Sequence, residues 1–348
     1  MQALPATDLD HVINHTRGLW EEMRGARIFI TGGTGFFGRW LMESLLLAND
    51  RLELGVVATV LTREPGVFAR NTPRIATHPA VRLLQGDVRT FDFPFGDFRY
   101  VIHGATEPGR GGAHEAGKSV SPAVAPGIHR VLEFARQRNT GKLLFTSSGA
   151  VYGRQPPHVS HITEDYGGAP DAAGPKASYG EGKRVSELLC IDYAANFGIE
   201  CKIARGFAFT GPGLPLDLNF AIGNFIRDVI AVRPVQVNGD GSPRRSYMYA
   251  ADLAVWLWTI LFRGTNCRPY NTGSENDLSV GDLARAVSDA LNPAIPVRIA
   301  SPAVRGKEPE RYVPSTARAR SELGLGEHFP LHEVIRRTAA WYGFAPLR

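Results

Sequence analysis

Two side chains that could share a proton stand four positions apart: in Tyr179-Gly180-Glu181-Gly182-Lys183 a phenol precedes an ammonium by one helical turn. On a helix that spacing puts both on one face. The ammonium can then favour phenolate and pull the phenol from its usual pKa of about 10 toward neutrality, where it serves as acid or base. Upstream, the apolar run Leu143-Leu144-Phe145-Thr146 ends in Ser147-Ser148, before Gly149-Ala150-Val151-Tyr152-Gly153. Either hydroxyl, at the carboxyl end of a strand, could hold a substrate oxygen while Tyr179 exchanges its proton; either could equally cap a helix. Glycines within a helix each cost up to about 1 kcal/mol relative to alanine, which predicts close approach of a ligand or neighbour at Gly180 and Gly182.

A second chemical signature lies earlier, in Thr31-Gly32-Gly33-Thr34-Gly35-Phe36-Phe37-Gly38. Gly33, Gly35 and Gly38 have the dinucleotide spacing, and Gly32, Gly35 and Gly38 a looser form of it. Such a turn needs glycines so that the backbone can approach a pyrophosphate, and the helix it opens offers free N–H groups and a positive dipole end. Gly32, Gly35, Phe36, Phe37 and Gly38 are therefore the expected cofactor contacts here. An acidic residue at the end of the second strand would hold an adenosine 2′-hydroxyl; Thr62-Arg63 stands there instead. A guanidinium suits a 2′-phosphate, so NADP(H) is expected over NAD(H). Asp87, with Val88 after it, ends the third strand and is expected near the adenine, or as a helix cap.

These groups need a scaffold that gathers strand ends. From Arg27, short apolar runs (Ile28 to Ile30, Val56 to Leu61, Val81 to Leu84, Tyr100 to His103, Lys142 to Thr146, Lys202 to Ala204) alternate with helical stretches. Strands buried on both faces and separated by helices predict an α/β fold with a doubly wound parallel sheet. An amphipathic helix is expected from Tyr179 to about Phe197. Residues 1–26 read as a helical extension, 27–209 as the dinucleotide-binding domain, and 210–348 as a smaller substrate lobe from which 246–292 returns to the sheet.

The 348 residues carry 39 Lys and Arg against 34 Asp and Glu, a net charge of +5 that mildly favours an anionic ligand. No basic block is interleaved with aromatics, so no nucleic-acid partner is expected, and Arg318, Arg320, Arg336 and Arg337 read as solvated helix faces. Cys190, Cys201 and Cys267 are too scattered for a disulfide framework or a zinc site, and no metal is expected. The longest apolar stretch, Ala254 to Phe262, is far short of the ~20 residues of a membrane span. A cytoplasmic protein is expected, without a membrane partner.

Taken together, the glycine loop, Val101-Ile102-His103-Gly104-Ala105, the Ser-rich strand before Val151-Tyr152-Gly153, and Tyr179 to Lys183 resemble the extended short-chain dehydrogenase/reductase family. The nucleotide-sugar epimerase/dehydratase branch is the nearer match. Arg205-Gly206-Phe207, Gly211-Pro212-Gly213, Gly239-Asp240-Gly241, Arg245-Ser246-Tyr247 and Tyr270-Asn271-Thr272-Gly273-Ser274 resemble that branch in order and spacing. The resemblance implies a Rossmann-type fold, an NAD(P) cofactor that Ala105 also lines, a nucleoside diphosphate sugar as substrate, and a homodimer formed through the Tyr-bearing helix and its neighbour. It implies catalytic roles for Ser148, Tyr179 and Lys183, with Lys183 also bonding the nicotinamide ribose. Arg245 and Arg311 match arginines that hold the substrate diphosphate, and Asn219 matches a phosphate contact.

In the branch's 4,6-dehydratases an Asp-Glu pair follows the catalytic hydroxyl residue, and its sugar-acid decarboxylases carry a Glu at this place. Gly149 and Ala150 cannot transfer protons. The expected activity is therefore hydride transfer at C4, as a nucleotide-sugar epimerase or 4-keto-sugar reductase. A 4,6-dehydratase with its acid and base placed elsewhere is the alternative, and a non-catalytic nucleotide-binding protein the third reading.

Overall fold

The computed structural model describes residues 2–105, 124–172, 174, 177–218, 220–302, 306 and 308–345. Seven parallel strands form the central sheet: β1 (Arg27–Thr31), β2 (Val57–Thr62), β3 (Val81–Gln85), β4 (Tyr100–His103), β5 (Lys142–Ser148), β6 (Glu200–Gly206) and β7 (Pro269–Thr272). Their order across the sheet is β7-β6-β5-β4-β1-β2-β3. The expected α/β Rossmann-type architecture is thus present. The order reverses between β1 and β4, where ligands of open parallel sheets bind beyond the carboxyl ends of the strands.

The period of two along each strand divides the core. Ile28, Ile30 and Leu144 belong to one apolar layer, with the helices Phe36–Leu52 and Ala250–Arg263. Phe29, Leu143 and Phe145 belong to the opposite layer, with the helices Val124–Gln137 and Ala177–Phe197. The helix Ala177–Phe197 is not amphipathic as expected. Cys190, Tyr193 and Ala194 are buried on one side, while Val185, Leu188 and Ile191 are exposed on another.

The N-terminal helix Ala6–Thr16 is part of the first layer. Trp20 packs edge-on against Trp258 at 4.9 Å, and buried Asp8 is held by the Tyr249 hydroxyl and by Arg337. A smaller lobe has its own core, in which the helices Ala221–Ile230, Val280–Leu291 and Leu331–Trp341 pack around the parallel strands Val235–Val237 and Val297–Ile299. The expected return of 246–292 to the sheet therefore applies only as far as β7; Leu283, Val287 and Leu291 turn their apolar face into the lobe.

A three-stranded sheet joins Arg244–Ser246 to Asp277–Ser279 and Arg311–Tyr312, with Arg245 opposite Tyr312. Among the described residues no helix is long and apolar enough to cross a membrane. The three cysteines are free thiols.

Candidate active site

At the carboxyl ends of β1 to β4 lies a cavity of about 450 Å³, lined by Gly32, Gly35, Arg63, Asp87, Val88 and Ala105 among others. Gly32 has φ +74°, and a Cβ there would fall 2.4 Å from the Gly104 carbonyl carbon, so only glycine lets the turn cross the β4 loop. Among the described residues a Cβ at Gly35 would touch only Gly32 O, 3.4 Å away, so a side chain there would stand in the cavity that its backbone lines. That is the cradle a pyrophosphate needs, and the residues fit a dinucleotide.

Phe36, Phe37 and Gly38 do not line the cavity as expected. The Phe37 ring meets Phe209 edge-on at 5.0 Å, Phe36 packs against both cores, and Gly38 lets the helix close on Gly32 O. Apolar rings at the first turn of this helix serve the packing, and Thr34 and Gly35 face the cavity instead. Glu64 lines it beside Arg63, an acid that the reading of Thr62-Arg63 passed over. Asp87 is gripped by Arg89 Nε and Nη2 at 2.7 and 2.9 Å, and this pairing lowers its carboxyl to about 2.

The loop after β4 is fixed by a short relay: the Ala105 N–H donates to Thr31 Oγ1 at 3.2 Å, and that hydroxyl meets His103 Nδ1 at 2.7 Å. Burial, with the Lys183 charge nearby, holds His103 down to about 3, so its imidazole is neutral.

One strand over, the two serines part company, as neighbours on a strand must. Ser147 donates to Glu187 Oε1 at 2.5 Å, and Glu187 takes Arg205 Nε and Nη2 at 3.0 and 2.6 Å. Arg205 Nη1 then donates to Tyr152 Oη, which donates to Asn271 Oδ1 at 2.6 Å. That network occupies Ser147. Ser148, on the other face, receives the Ala150 N–H at 3.2 Å and stands close enough to the Tyr179 phenol to oppose the upward push of burial on it. Of the two candidates, only Ser148 meets the phenol.

Lys183 is buried and donates to the Thr146 carbonyl at 2.7 Å, with Nζ 4.7 Å from the Phe145 ring centroid and 5.9 Å from that of Tyr179. The electrostatics run opposite to the sequence expectation. Burial raises the Tyr179 phenol, and the neighbouring Ser148 hydroxyl opposes it. The ammonium lies 5.9 Å from the Tyr179 ring centroid and donates to a backbone carbonyl, and its own desolvation lowers it to about 8.

Two glycines are explained by close approach. A Cβ on Gly180 would lie 2.5 Å from Ala150 O, so the Tyr-bearing helix rides directly on the turn after Ser148. A Cβ on Gly149 would lie 2.6 Å from the Phe207 ring. The space that a carboxylate side chain at 149 would need is filled by this phenyl group.

Sequence reasoning missed Tyr312. Its hydroxyl lies 3.4 Å from Ser148 Oγ, its ring packs on Phe207 at 4.7 Å, and burial raises it well above the phenol range. The Arg245 guanidinium sits 5.8 Å from the Tyr312 centroid, while Arg311 Nη1 is 3.2 Å from Asp277, which also pairs with Arg244. Arg311 Nε is buried with no hydrogen-bond partner among the described residues, an orphaned donor at the edge of the site. Asn219 lies outside the described residues.

The sequence profile of the NAD dependent epimerase/dehydratase family matches residues 28–273. Among curated proteins the chain is similar to UDP-glucuronic acid decarboxylase 6 of Arabidopsis thaliana, 29% identical over 309 residues, covering 89% of this chain and 86% of that protein. UDP-glucuronic acid decarboxylase 1 of Xenopus tropicalis is 28% identical over 316 residues, covering 91% and 72%. Among solved structures, UDP-glucuronic acid 4-epimerase from Bacillus cereus in complex with NAD superposes with a TM-score of 0.74 at 21% identity, covering 90% of this chain and 96% of that one. A dTDP-glucose 4,6-dehydratase from Bacillus anthracis in complex with NAD gives 0.72 at 17%, covering 91% and 96%. At these identities the structural likeness speaks for the fold.

Proposed function

The chain belongs to the NAD dependent epimerase/dehydratase family, and from that premise we propose that it acts on a nucleoside diphosphate sugar at C4, by epimerisation or by reduction of a 4-keto group. The observation that carries this reading is that Ser148 and Tyr179 stand side by side, with Lys183 behind the Tyr179 ring and no carboxylate at 149 or 150.

A bound nicotinamide supplies the hydride acceptor and donor. In this reading Gly32 and Gly35 hold the pyrophosphate, Asp87, Val88 and Ala105 flank the adenosine end, and Arg63 accepts a 2′-phosphate, so that NADP(H) binds more tightly than NAD(H). Ser148 positions the C4 oxygen. Tyr179 takes its proton on oxidation and returns one on reduction, with Lys183 held on the nicotinamide ribose side. Arg245 and the unpartnered Arg311 Nε are assigned to the diphosphate, where guanidinium groups match phosphate oxygens.

Dehydration across C5 and C6 is disfavoured by Phe207, which stands where an acid on residue 149 would reach. A second reading, decarboxylation of a sugar acid, is favoured by the curated relatives. Oxidation at C4 of a sugar with a C6 carboxylate puts that carboxylate β to a ketone, from which CO2 would leave with the bonding pair held as a C4–C5 enolate; in the absence of a proton-transfer group at 149 or 150, solvent would supply the proton to C5.

The test is product analysis with a panel of nucleoside diphosphate sugars, sugar acids included, in deuterated water with each cofactor. Inversion at C4 without net cofactor change, or stoichiometric NADPH consumption with a 4-keto sugar, supports the proposal. Release of CO2 supports the second reading, and loss of water with deuterium at C5 would overturn both.

A further inference from the structure

Away from the cavity, the N-terminal helix carries His11 and His15 one turn apart, and the chain brings His328 against them. The three imidazoles form a cluster with ring centroids 4.1, 4.9 and 4.3 Å apart. One ring nitrogen from each lies within 4.8 Å of the others. Histidines clustered this way are ordinarily kept apart by their shared positive charge, unless something holds them neutral or binds between them.

A fourth residue orients the set. Asp252, only 1% exposed, accepts from His11 Nε2 at 3.0 Å and from His328 Nδ1 at 2.9 Å, both on Oδ1, while its Oδ2 takes the His328 backbone N–H. His15 Nδ1 is fixed in turn on the His11 carbonyl at 2.9 Å. Each acceptor is an oxygen, so in each neutral ring the bonded nitrogen is the N–H donor and the other nitrogen keeps its lone pair. A buried carboxylate that fixes the tautomers of two histidines, and leaves their second nitrogens for a cation, is the outer-sphere pattern of histidine metal sites.

We propose that His11, His15 and His328 bind one divalent transition-metal ion, Zn²⁺ in the first instance, with Asp252 as the carboxylate that orients and charges the site. Three imidazole nitrogens suit borderline ions of this kind and not Mg²⁺ or Ca²⁺. In a tetrahedral Zn–N set the nitrogens stand about 3.3 Å apart, closer than the 4.8 Å within which one nitrogen of each ring lies here, so the rings must turn and close to bring their free nitrogens onto one ion. His15 and His328 are exposed and have the freedom to do so. A cavity of about 280 Å³ bordered by both leaves room for water as the fourth ligand. The ion would clip the N-terminal helix to the helix Ala250–Arg263 and to the segment at His328, which gives the extension before β1 a chemistry of its own.

The experiment uses the tag-free full chain stripped with a chelator and titrated with ZnSO4 by calorimetry, with bound metal counted by mass spectrometry. One Zn²⁺ per chain and a raised melting temperature are expected. His15→Ala and His328→Ala change exposed side chains, so both should fold; each should weaken Zn²⁺ at least tenfold and cancel the thermal gain. Asp252→Asn should weaken it about 10- to 100-fold. Cobalt in place of zinc should give the visible absorption of a four-coordinate nitrogen site. Absence of stoichiometric binding at micromolar Zn²⁺, or binding unchanged in the His15→Ala/His328→Ala chain, would overturn the proposal.

Discussion

Tyr312 sets its hydroxyl 3.4 Å from Ser148 Oγ, from a strand 164 positions further along the chain. The same hydroxyl lies 3.4 Å from Gly206 O, and the ring separates Arg245 from Phe207. Tyr312 therefore belongs to the hydroxyl group around Ser148 as a positioning residue. Tyr312→Phe keeps the ring and loses both contacts, of which the one to Ser148 is a neutral hydrogen bond worth about 0.5–1.5 kcal/mol, so kcat should fall roughly 2- to 10-fold with cofactor affinity unchanged. A loss as large as that of Tyr179→Phe would show that this position transfers protons itself.

Tyr179→Phe removes the proposed proton carrier and leaves the ring in place. Turnover should fall by about 10²- to 10⁴-fold, the range for loss of a general acid or base, while dissociation constants for either cofactor move little. Single-turnover measurement at saturating sugar separates the two effects. Undiminished turnover would refute the catalytic assignment.

Lys183 is lowered from 10.5 to about 8, chiefly by desolvation. Between those values the unfolded chain holds a proton that the folded chain has released, so on this account stability rises with pH through the window. Below about 8 both states are protonated and the buried ammonium exerts its full cost, about 3 kcal/mol. Lys183→Met should thus show its most favourable stability relative to wild type near neutrality and lose about 3 kcal/mol of that difference by about pH 10.5. Urea unfolding of both chains, without cofactor, across this range is the measurement; parallel curves would mean that the ammonium is not desolvated.

The parts legible in the sequence are those written in short windows. The alternating strands, the glycine turn and the Tyr179–Lys183 spacing each depend on residues within one element, and each lies where its pattern implied. The misreadings come from contacts between distant segments. Arg318 reads as a solvated helix residue, yet its side chain is 9% exposed and pairs with Asp165 and Glu164, some 150 positions away. The rings of Phe36 and Phe37, just after the glycine loop, are turned into the protein, Phe36 against two cores and Phe37 against one. No local pattern separates Ser147 from Ser148. Strand alternation says that they face opposite ways, and only Glu187, supplied by another helix, says which way is which.

Arg63 and Glu64 line the cavity beside Thr62, where the ribose of the adenosine end would lie. A guanidinium on a 2′-phosphate contributes about 1.5–3 kcal/mol as a charge-assisted hydrogen bond, whereas a 2′-hydroxyl gains little from it. Arg63→Ala should weaken NADP(H) about 10- to 100-fold and leave NAD(H) within a factor of a few. Calorimetric titration with both cofactors decides it; wild-type affinity for NAD(H) equal to or above that for NADP(H) would defeat the assignment.

The helix Ala177–Phe197 is apolar on a second side, where Leu188 is 65% exposed and Val185 and Ile191 flank it at 42% each. Its inner side packs beside the helix Val124–Gln137, so the two helices form one surface, and a contiguous apolar patch on such a surface marks a contact site. A second copy of the chain is the occupant expected. In a two-fold interface each Leu188 is used in both copies, so one substitution acts twice. At about 2 kcal/mol for a central interface residue, Leu188→Lys should raise the dimer dissociation constant by roughly a thousandfold, 30-fold from each copy. Sedimentation equilibrium should give twice the chain mass for wild type and the chain mass for Leu188→Lys, with similar circular dichroism because the altered side chain lies outside the core. A wild-type chain that sediments as a monomer at micromolar concentration would remove the dimer and leave the exposed stripe without an occupant.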